Sequence, residues 1–264
     1  MTTHLRPLPP ARPVLPLAAL LVPAALLGLP LAGCAGGADV DEKGDECAGP
    51  GALLGCSAPT MPPEHYVAQA ELYFDTMDAR VPLGAFPDYT ERVARWEWPP
   101  WLKLTGWTRE GIEISDRLLR AYPSIVDERD CRYFDEQPFA RCRVVFYYEA
   151  HAGQGCPIYE EFAFNEAGQM SWIEAWSDQP GLLPMDAAAD PWAEGPDVRR
   201  LASRVPGLGD PSGDVDPDSE AMERAAAADV DVADFQARAR DFGTSWAAEA
   251  ELAGDDLWAR GCGW

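Results

Sequence analysis

Basic residues are scarce in this sequence. Its 264 residues include 21 lysines and arginines against 44 aspartates and glutamates, which gives a formal net charge of −23 at pH 7. A surface with this charge repels the phosphates of nucleic acids and the headgroups of anionic lipids. DNA and RNA are therefore excluded as partners, and no basic patch is expected to hold the protein at a membrane.

Several motifs that mark cofactor and metal chemistry are also absent. The chain has no C-x-x-C pair, no P-loop, no G-x-G-x-x-G and no G-x-S-x-G, so it lacks common signatures of zinc, nucleotide and serine-hydrolase sites. The three histidines, His4, His65 and His151, do not have the spacing of metal ligands. We therefore predict neither a metal nor a cofactor.

A short apolar segment near the start of the chain ends in Leu31-Ala32-Gly33-Cys34. It follows Arg6 and Arg12, and prolines interrupt it. It is therefore too short and too broken for a membrane-spanning helix, which needs about 20 apolar residues. The last four residues resemble the lipobox at which bacterial lipoprotein signal peptides are cut and lipidated.

This resemblance implies that residues 1–33 are a signal peptide and that Cys34 becomes the lipidated first residue of the mature protein. The membrane is then a partner through the lipid on Cys34. We expect a location in the cell envelope, outward-facing or periplasmic, and alanine rather than aspartate at position 35 favours the outer membrane. The alternative is an ordinary secretory signal peptide with a chance cysteine nearby.

Six cysteines remain beyond Cys34. An even number in an exported chain indicates disulfide bonds, and six cysteines allow about 15 pairings. One of these sets is preferred here. It consists of Cys47–Cys56, Cys131–Cys142 and Cys156–Cys262.

Composition divides the exported part of the chain into four regions. Residues 34–62 are rich in Gly, Ala, Pro and acids and are predicted to be a flexible tether. Residues 63–182 read as one compact domain, and the proline-rich acidic stretch 183–217 as a linker. Residues 218–264 are predicted to be a helical extension that packs on the core, since an amphipathic helix needs a partner surface.

Within 63–182 the periodicity changes from helical to alternating. Helices are predicted at about 64–79, at 88–95 and after Thr108. Four strands are predicted at 125–134, 141–150, 157–164 and 169–178, and Asn165 to Gly168 form the turn between the last two.

Two stretches resemble the nuclear-transport-factor-2-like superfamily. Residues 162–170, Phe-Ala-Phe-Asn-Glu-Ala-Gly-Gln-Met, are similar to its hairpin, and residues 70–78 are similar to its first helix. The resemblance implies an α+β fold in which three N-terminal helices pack on a bent four-stranded antiparallel sheet. Such a sheet forms a cone with a deep pocket, and here a helical C-terminal extension would follow it.

The resemblance extends to the ketosteroid isomerase and polyketide cyclase branch. It places Tyr73 at the oxyanion-hole tyrosine, Glu160 at a protonated acid and Glu97 at the general base. Proton abstraction beside a carbonyl needs such a base, together with donors at the oxygen that becomes an enolate. We expect aromatic pocket walls from the surrounding strands and loops, with a further carboxylate among them: Trp96, Trp98, Trp172, Trp176 and Glu174.

These features leave three functions open. The favoured one is an exported, lipid-anchored envelope protein that binds a small apolar ligand or a partner protein through a cone-shaped pocket. The alternatives are an acid–base enzyme of the isomerase or cyclase kind and a structural surface lipoprotein. The binding protein and the enzyme are distinguished by whether Tyr73, Glu97 and Glu160 converge within hydrogen-bonding reach of one open pocket.

Overall fold

The structure is a computed structural model and describes residues 58–121, 124–182, 184, 190–192, 201–208, 215–253 and 260–264. The predicted signal peptide, Cys34 and the predicted Cys47–Cys56 bond lie outside the described residues. No helix in the described ranges is both long and apolar enough to span a bilayer.

A six-stranded mixed sheet is the central element. The first part of the chain forms α1 (Pro63–Met77), β1 (Tyr89–Glu97), β2 (Lys103–Trp107), α2 (Arg109–Ala121), β3 (Ser124–Tyr133), β4 (Ala140–Tyr148), β5 (Gly155–Phe164) and β6 (Met170–Ser177). The strands lie in the order β2-β1-β6-β5-β4-β3, and every neighbouring pair is antiparallel except β1 and β6. The extension forms α3 (Glu220–Ala228), α4 (Val230–Arg240) and α5 (Phe242–Ala253).

The predicted four-stranded antiparallel sheet under three N-terminal helices is wrong. The segment predicted as a second helix, residues 88–95, is strand β1, and β2 pairs with it, so the sheet has six strands and is mixed. Tyr89, Thr90 and Val93 favour extended backbone. Pairing with β2 on one side and β6 on the other overrides the helical spacing of this short segment.

The predictions for α1, for the helix after Thr108 and for strands β3 to β6 are confirmed. Pro63 occupies the first position of α1, where its missing N–H costs no hydrogen bond. The Thr108 hydroxyl caps α2 by accepting the Gly111 N–H at 3.1 Å. In the β5–β6 turn Gly168 has φ +76°, and Asn165 accepts the N–H of Gln169 at 2.9 Å.

The two faces of the sheet cover different cores. On one face α1 and α2 bury an aromatic cluster that includes Tyr66, Tyr73 and Phe162. On the other face α3, α4 and residues 201–208 bury a second cluster built around tryptophans. Residues 201–208, which belong to the predicted linker, are thus packed against the sheet.

Two of the predicted disulfide bonds are confirmed. Cys131 and Cys142 are bonded register partners on β3 and β4. Cys156 at the start of β5 is bonded to Cys262. This second bond holds the C-terminal residues against the sheet, where the Trp264 indole also donates to the Gly155 carbonyl at 3.0 Å.

Candidate functional site

A cavity of about 270 Å³ lies between α1, α2 and the sheet. Its walls are mainly apolar and aromatic, and one end carries polar side chains. The apolar part comprises Met77, Trp101, Leu102, Phe146, Cys156, Ile158, Ala175 and Trp246, with the Tyr148 ring. The polar part comprises Tyr73, Arg95, Glu97, Thr105, Ser115 and Glu160.

The strand register brings the two candidate carboxyl groups into one row. Ala175 on β6 is the register partner of Glu97 on β1 and also of Glu160 on β5. Neighbouring strands lie about 4.8 Å apart, so the two glutamate backbones are about 10 Å apart across one small side chain. The methyl group of Ala175 leaves open space between the glutamates, and α1 places Tyr73 beside the same cavity.

Arg95 is the centre of a buried polar network. Its guanidinium donates to the Thr105 and Ser115 hydroxyls at 2.9 Å and 2.6 Å. It also donates to the Tyr73 hydroxyl at 3.2 Å and forms an ion pair with Asp116 at 3.0 Å. Arg95 is 4% exposed and Asp116 is fully buried. The positive charge of Arg95 is therefore balanced inside the protein.

Glu97 is attached to this network through one of its oxygens. Its Oε1 accepts the Thr105 hydroxyl at 2.6 Å and lies 3.7 Å from Nε of Arg95. Burial raises the pKa of Glu97, while the Arg95 charge and the Thr105 hydrogen bond oppose the rise. The side chain remains 24% exposed, so the carboxylate faces a partly open part of the cavity.

Glu160 is a neutral acid at neutral pH. Burial raises its pKa to about 8, and the nearby Glu97 charge adds to the rise, whereas Arg95 and a hydrogen bond with Tyr73 oppose it. Burial, together with Glu160, also raises the pKa of Tyr73, so the phenol keeps its proton. The Tyr73 oxygen accepts from Arg95, and its own proton is directed to Glu160.

The structure thus brings Tyr73, Glu97 and Glu160 together around one cavity, but it places the other predicted wall residues elsewhere. Trp96, Trp98, Trp172 and Trp176 belong to the tryptophan cluster on the opposite face of the sheet. Side chains alternate along a strand, and the β5–β6 register pairs Glu174 with Glu161 rather than with Glu160. Glu174 therefore faces away from the cavity.

Glu174 instead holds the backbone of residues 201–208. Its carboxyl oxygens accept the Leu201 and Ala202 N–H groups at 2.7 Å and 3.0 Å. They also accept the indole N–H of Trp98 at 2.6 Å and of Trp172 at 3.2 Å. Burial and Glu161 raise the pKa of Glu174 to about 7 against these hydrogen bonds. Its role is to dock this segment.

Sequence reasoning missed Arg95, Asp116 and Trp246. Asp116 stands one turn after Ile112 on the apolar side of α2, and a carboxylate in that position needs a buried partner. Arg95 and Glu97 share one face of β1 because they are two residues apart. No sequence signal places Trp246, because its contribution depends on how α5 packs.

The candidate site contains hydrogen-bonding and acid–base groups but no recognisable metal centre. Across the described ranges no group of three or more His, Cys, Asp or Glu side chains could hold a metal ion. No protein-family model matches the chain, and no curated protein matches it. The resemblance to the nuclear-transport-factor-2-like superfamily therefore stays a prediction.

Proposed function

We propose that this chain is an exported, lipid-anchored envelope protein that binds a small, mostly apolar ligand in the cavity between α1, α2 and the sheet. The observation that carries the proposal is the cavity itself, in which apolar and aromatic walls meet a few polar groups at one end. Most small-molecule sites combine these two features. Anchoring rests on the lipobox-like residues Leu31 to Cys34.

The volume and lining favour a small molecule over a partner protein. About 270 Å³ is close to the lower limit of ordinary ligand pockets. Arg95 and Asp116 form a fixed polar base under this space, and Trp246 of α5, which is 41% exposed, stands at its edge. A ring-sized molecule can bury its apolar body here while its polar group meets Tyr73, Glu97 or Glu160.

An acid–base enzyme is the second candidate, and one observation favours it. Tyr73 and Glu160 provide two protonated groups on one side of Ala175, and Glu97 provides a carboxylate on the other. A carbonyl substrate between them could lose an α-proton to Glu97 while the protonated Glu160, which accepts from Tyr73, donates to the enolate. However, the Arg95 charge and the Thr105 hydrogen bond oppose the rise in the pKa of Glu97 and weaken it as a base. We therefore favour binding.

Calorimetric titration with a neutral ring compound, meta-tert-butylbenzyl alcohol, tests the binding proposal. Ala175→Leu fills the space between the glutamates and should abolish binding. Trp246→Ala should weaken binding by about tenfold, since an aromatic wall is lost. Leu252→Ala is the matched control, because Leu252 is an exposed apolar residue of the same helix that does not line the cavity. Equal affinity in all four proteins would refute the assignment to this cavity.

Solvent-deuterium exchange separates the enzyme from the binding protein. If the cavity is catalytic, the wild-type protein should speed exchange of the α-protons of cyclohexenone in D₂O, followed by proton NMR. Glu97→Gln should remove that acceleration. If the α-protons exchange at the buffer rate with both the wild type and Glu97→Gln, the enzyme hypothesis is refuted and the binding hypothesis is unaffected.

A further inference from the structure

The charges around the cavity specify its ligand more closely than its shape does. We propose that the ligand is a small organic cation, a quaternary or protonated amine on an apolar body, whose charged group lies over Ala175 between Glu97 and Glu160. This inference rests on the ligand-binding function proposed above and names the chemical class of the ligand.

The first argument is that Arg95, the cation that lines the cavity among the described residues, is already neutralised. Arg95 is paired with Asp116, and its other N–H groups donate to Thr105, Ser115 and Tyr73. Its N–H groups are therefore directed to acceptors of the protein rather than to an anionic ligand. With Arg95 and Asp116 cancelling, the charge that remains beside the cavity is that of the Glu97 carboxylate.

The second argument is an unsatisfied oxygen on Glu160. Within the described ranges Oε2 of Glu160 is buried and has no hydrogen-bond partner, and the side chain, 4% exposed, lines the cavity. A buried oxygen without a partner is costly. A cationic group in the cavity would compensate it and would favour the ionised carboxylate, so that binding releases the Glu160 proton to solvent.

The third argument concerns the remaining walls. Trp101, Phe146, Tyr148 and Trp246 line the same space as the two glutamates. Aromatic rings attract cations through the negative potential of their faces, and a quaternary ammonium ion keeps its charge next to such rings at little desolvation cost. Anions gain nothing from this environment. The net charge of −23 also raises the local concentration of cations around the whole protein.

A matched pair of ligands tests the inference without any variant. Meta-trimethylammonio-benzyl alcohol and meta-tert-butylbenzyl alcohol have the same shape and differ in one positive charge that does not titrate. Calorimetry at pH 7 should show the cation binding at least about tenfold more tightly. Repeating the cation titration in buffers with different ionisation enthalpies should show proton release.

Two variants then locate the effect. Glu97→Gln should reduce the preference for the cation over the neutral compound to about twofold or less. Glu91→Gln removes the same charge from an exposed position of β1 and should keep the preference. If the neutral compound binds as tightly as the cation to the wild-type protein, the inference is overturned and the binding function stands. If neither compound binds at millimolar concentration, the proposed function fails as well.

Discussion

The guanidinium of Arg95 and the carboxylate of Asp116 lie 3.0 Å apart beneath the cavity, and both are almost completely removed from solvent. Asp116 also accepts the Thr76 hydroxyl at 3.0 Å. Loss of one member of a buried ion pair leaves the other charged, buried and unpaired. The pair connects α2 to β1. We therefore expect the fold to tolerate replacement of both residues better than replacement of one.

Asp116→Asn should lower the free energy of unfolding by about 3–5 kcal/mol, because it leaves the buried Arg95 charge without its ion-pair partner. The double variant Arg95→Met with Asp116→Leu removes both charges and should be less destabilised than the single one. Urea denaturation followed by circular dichroism measures both. A double variant destabilised as much as Asp116→Asn, or more, would contradict this account of the pair.

The docking of residues 201–208 depends on Glu174. The Leu201 and Ala202 N–H groups donate to the two carboxyl oxygens of Glu174, and a glutamine would replace one of these acceptors with an NH₂ donor. Glu174→Gln should therefore lower the free energy of unfolding by about 1–3 kcal/mol. Hydrogen exchange should speed up at the Leu201 and Ala202 amides. Glu166→Gln, in the exposed β5–β6 turn, is the control. Unchanged protection of both amides in Glu174→Gln would show that other contacts hold the segment.

Elements with strong local signals could be predicted from the sequence. Pro63, Thr108 and the turn from Asn165 to Gly168 each determine a boundary through backbone chemistry, and the structure has those boundaries. Strand β1 could not be predicted in this way. Its helix-like spacing is local, whereas its conformation depends on two neighbouring strands, one of which, β6, is distant in sequence.

The candidate site was partly predictable, because alternation along a strand is also a local signal. Alternation along β5 places Glu160 on the face of Phe162, and the structure agrees. Alternation along β6 predicts one face for Met170, Trp172, Glu174 and Trp176, but Met170 packs in the cluster opposite to that of the two tryptophans. Alternation also cannot say which side of the sheet a face covers. That depends on the register between strands, which pairs Glu174 with Glu161. The residue pattern along a strand therefore predicts which side chains share a face of the sheet. The register between strands decides whether that face lines the cavity or the opposite core.

The two confirmed disulfides should contribute unequally to stability. The Cys156–Cys262 bond closes a separation of 106 residues, and the Cys131–Cys142 bond closes one of 11. Chain-entropy arguments give the longer loop the larger stabilisation, within a usual range of about 2–4 kcal/mol. Replacing each pair with serines and comparing melting temperatures tests this. A larger loss from the Cys131–Cys142 replacement would mean that local effects outweigh loop length.

Lipid anchoring is a prediction from the sequence and needs a cellular test. Cys34→Ser should move the protein from the membrane pellet to the soluble fraction, because the acyl chains supply the membrane affinity. Ala35→Ser is the control, since it leaves the lipidated residue in place. Membrane retention of Cys34→Ser equal to that of the wild type would refute lipoprotein processing.

The stability of the protein should fall as the pH rises towards 8, and Glu160 should account for part of that fall. Burial raises its pKa to about 8, whereas glutamate in an unfolded chain has a pKa of about 4.3. Below the lower value both states hold the proton. Between the two pKa values the unfolded chain has released the Glu160 proton and the folded protein retains it. The free energy of unfolding therefore falls by about 1.4 kcal/mol for each pH unit in this range. The charged or titratable groups that surround Glu160 are Tyr73, Tyr89, Arg95, Glu97, Asp116 and Tyr148.

Glu160→Gln removes this proton while keeping the size of the side chain. Urea denaturation at pH 5, 6, 7 and 8 measures the free energy of unfolding of both proteins. The value for the variant, relative to that for the wild type, should rise by about 1.4 kcal/mol per pH unit. Glu174, with a pKa raised to about 7, continues to lower the stability of both proteins over this range, so the difference between them isolates Glu160. Glu166→Gln should instead follow the wild-type curve. A constant difference between Glu160→Gln and wild type from pH 5 to pH 8 would mean that Glu160 is ionised throughout in the folded protein, and the neutral acid beside Tyr73 would have to be abandoned.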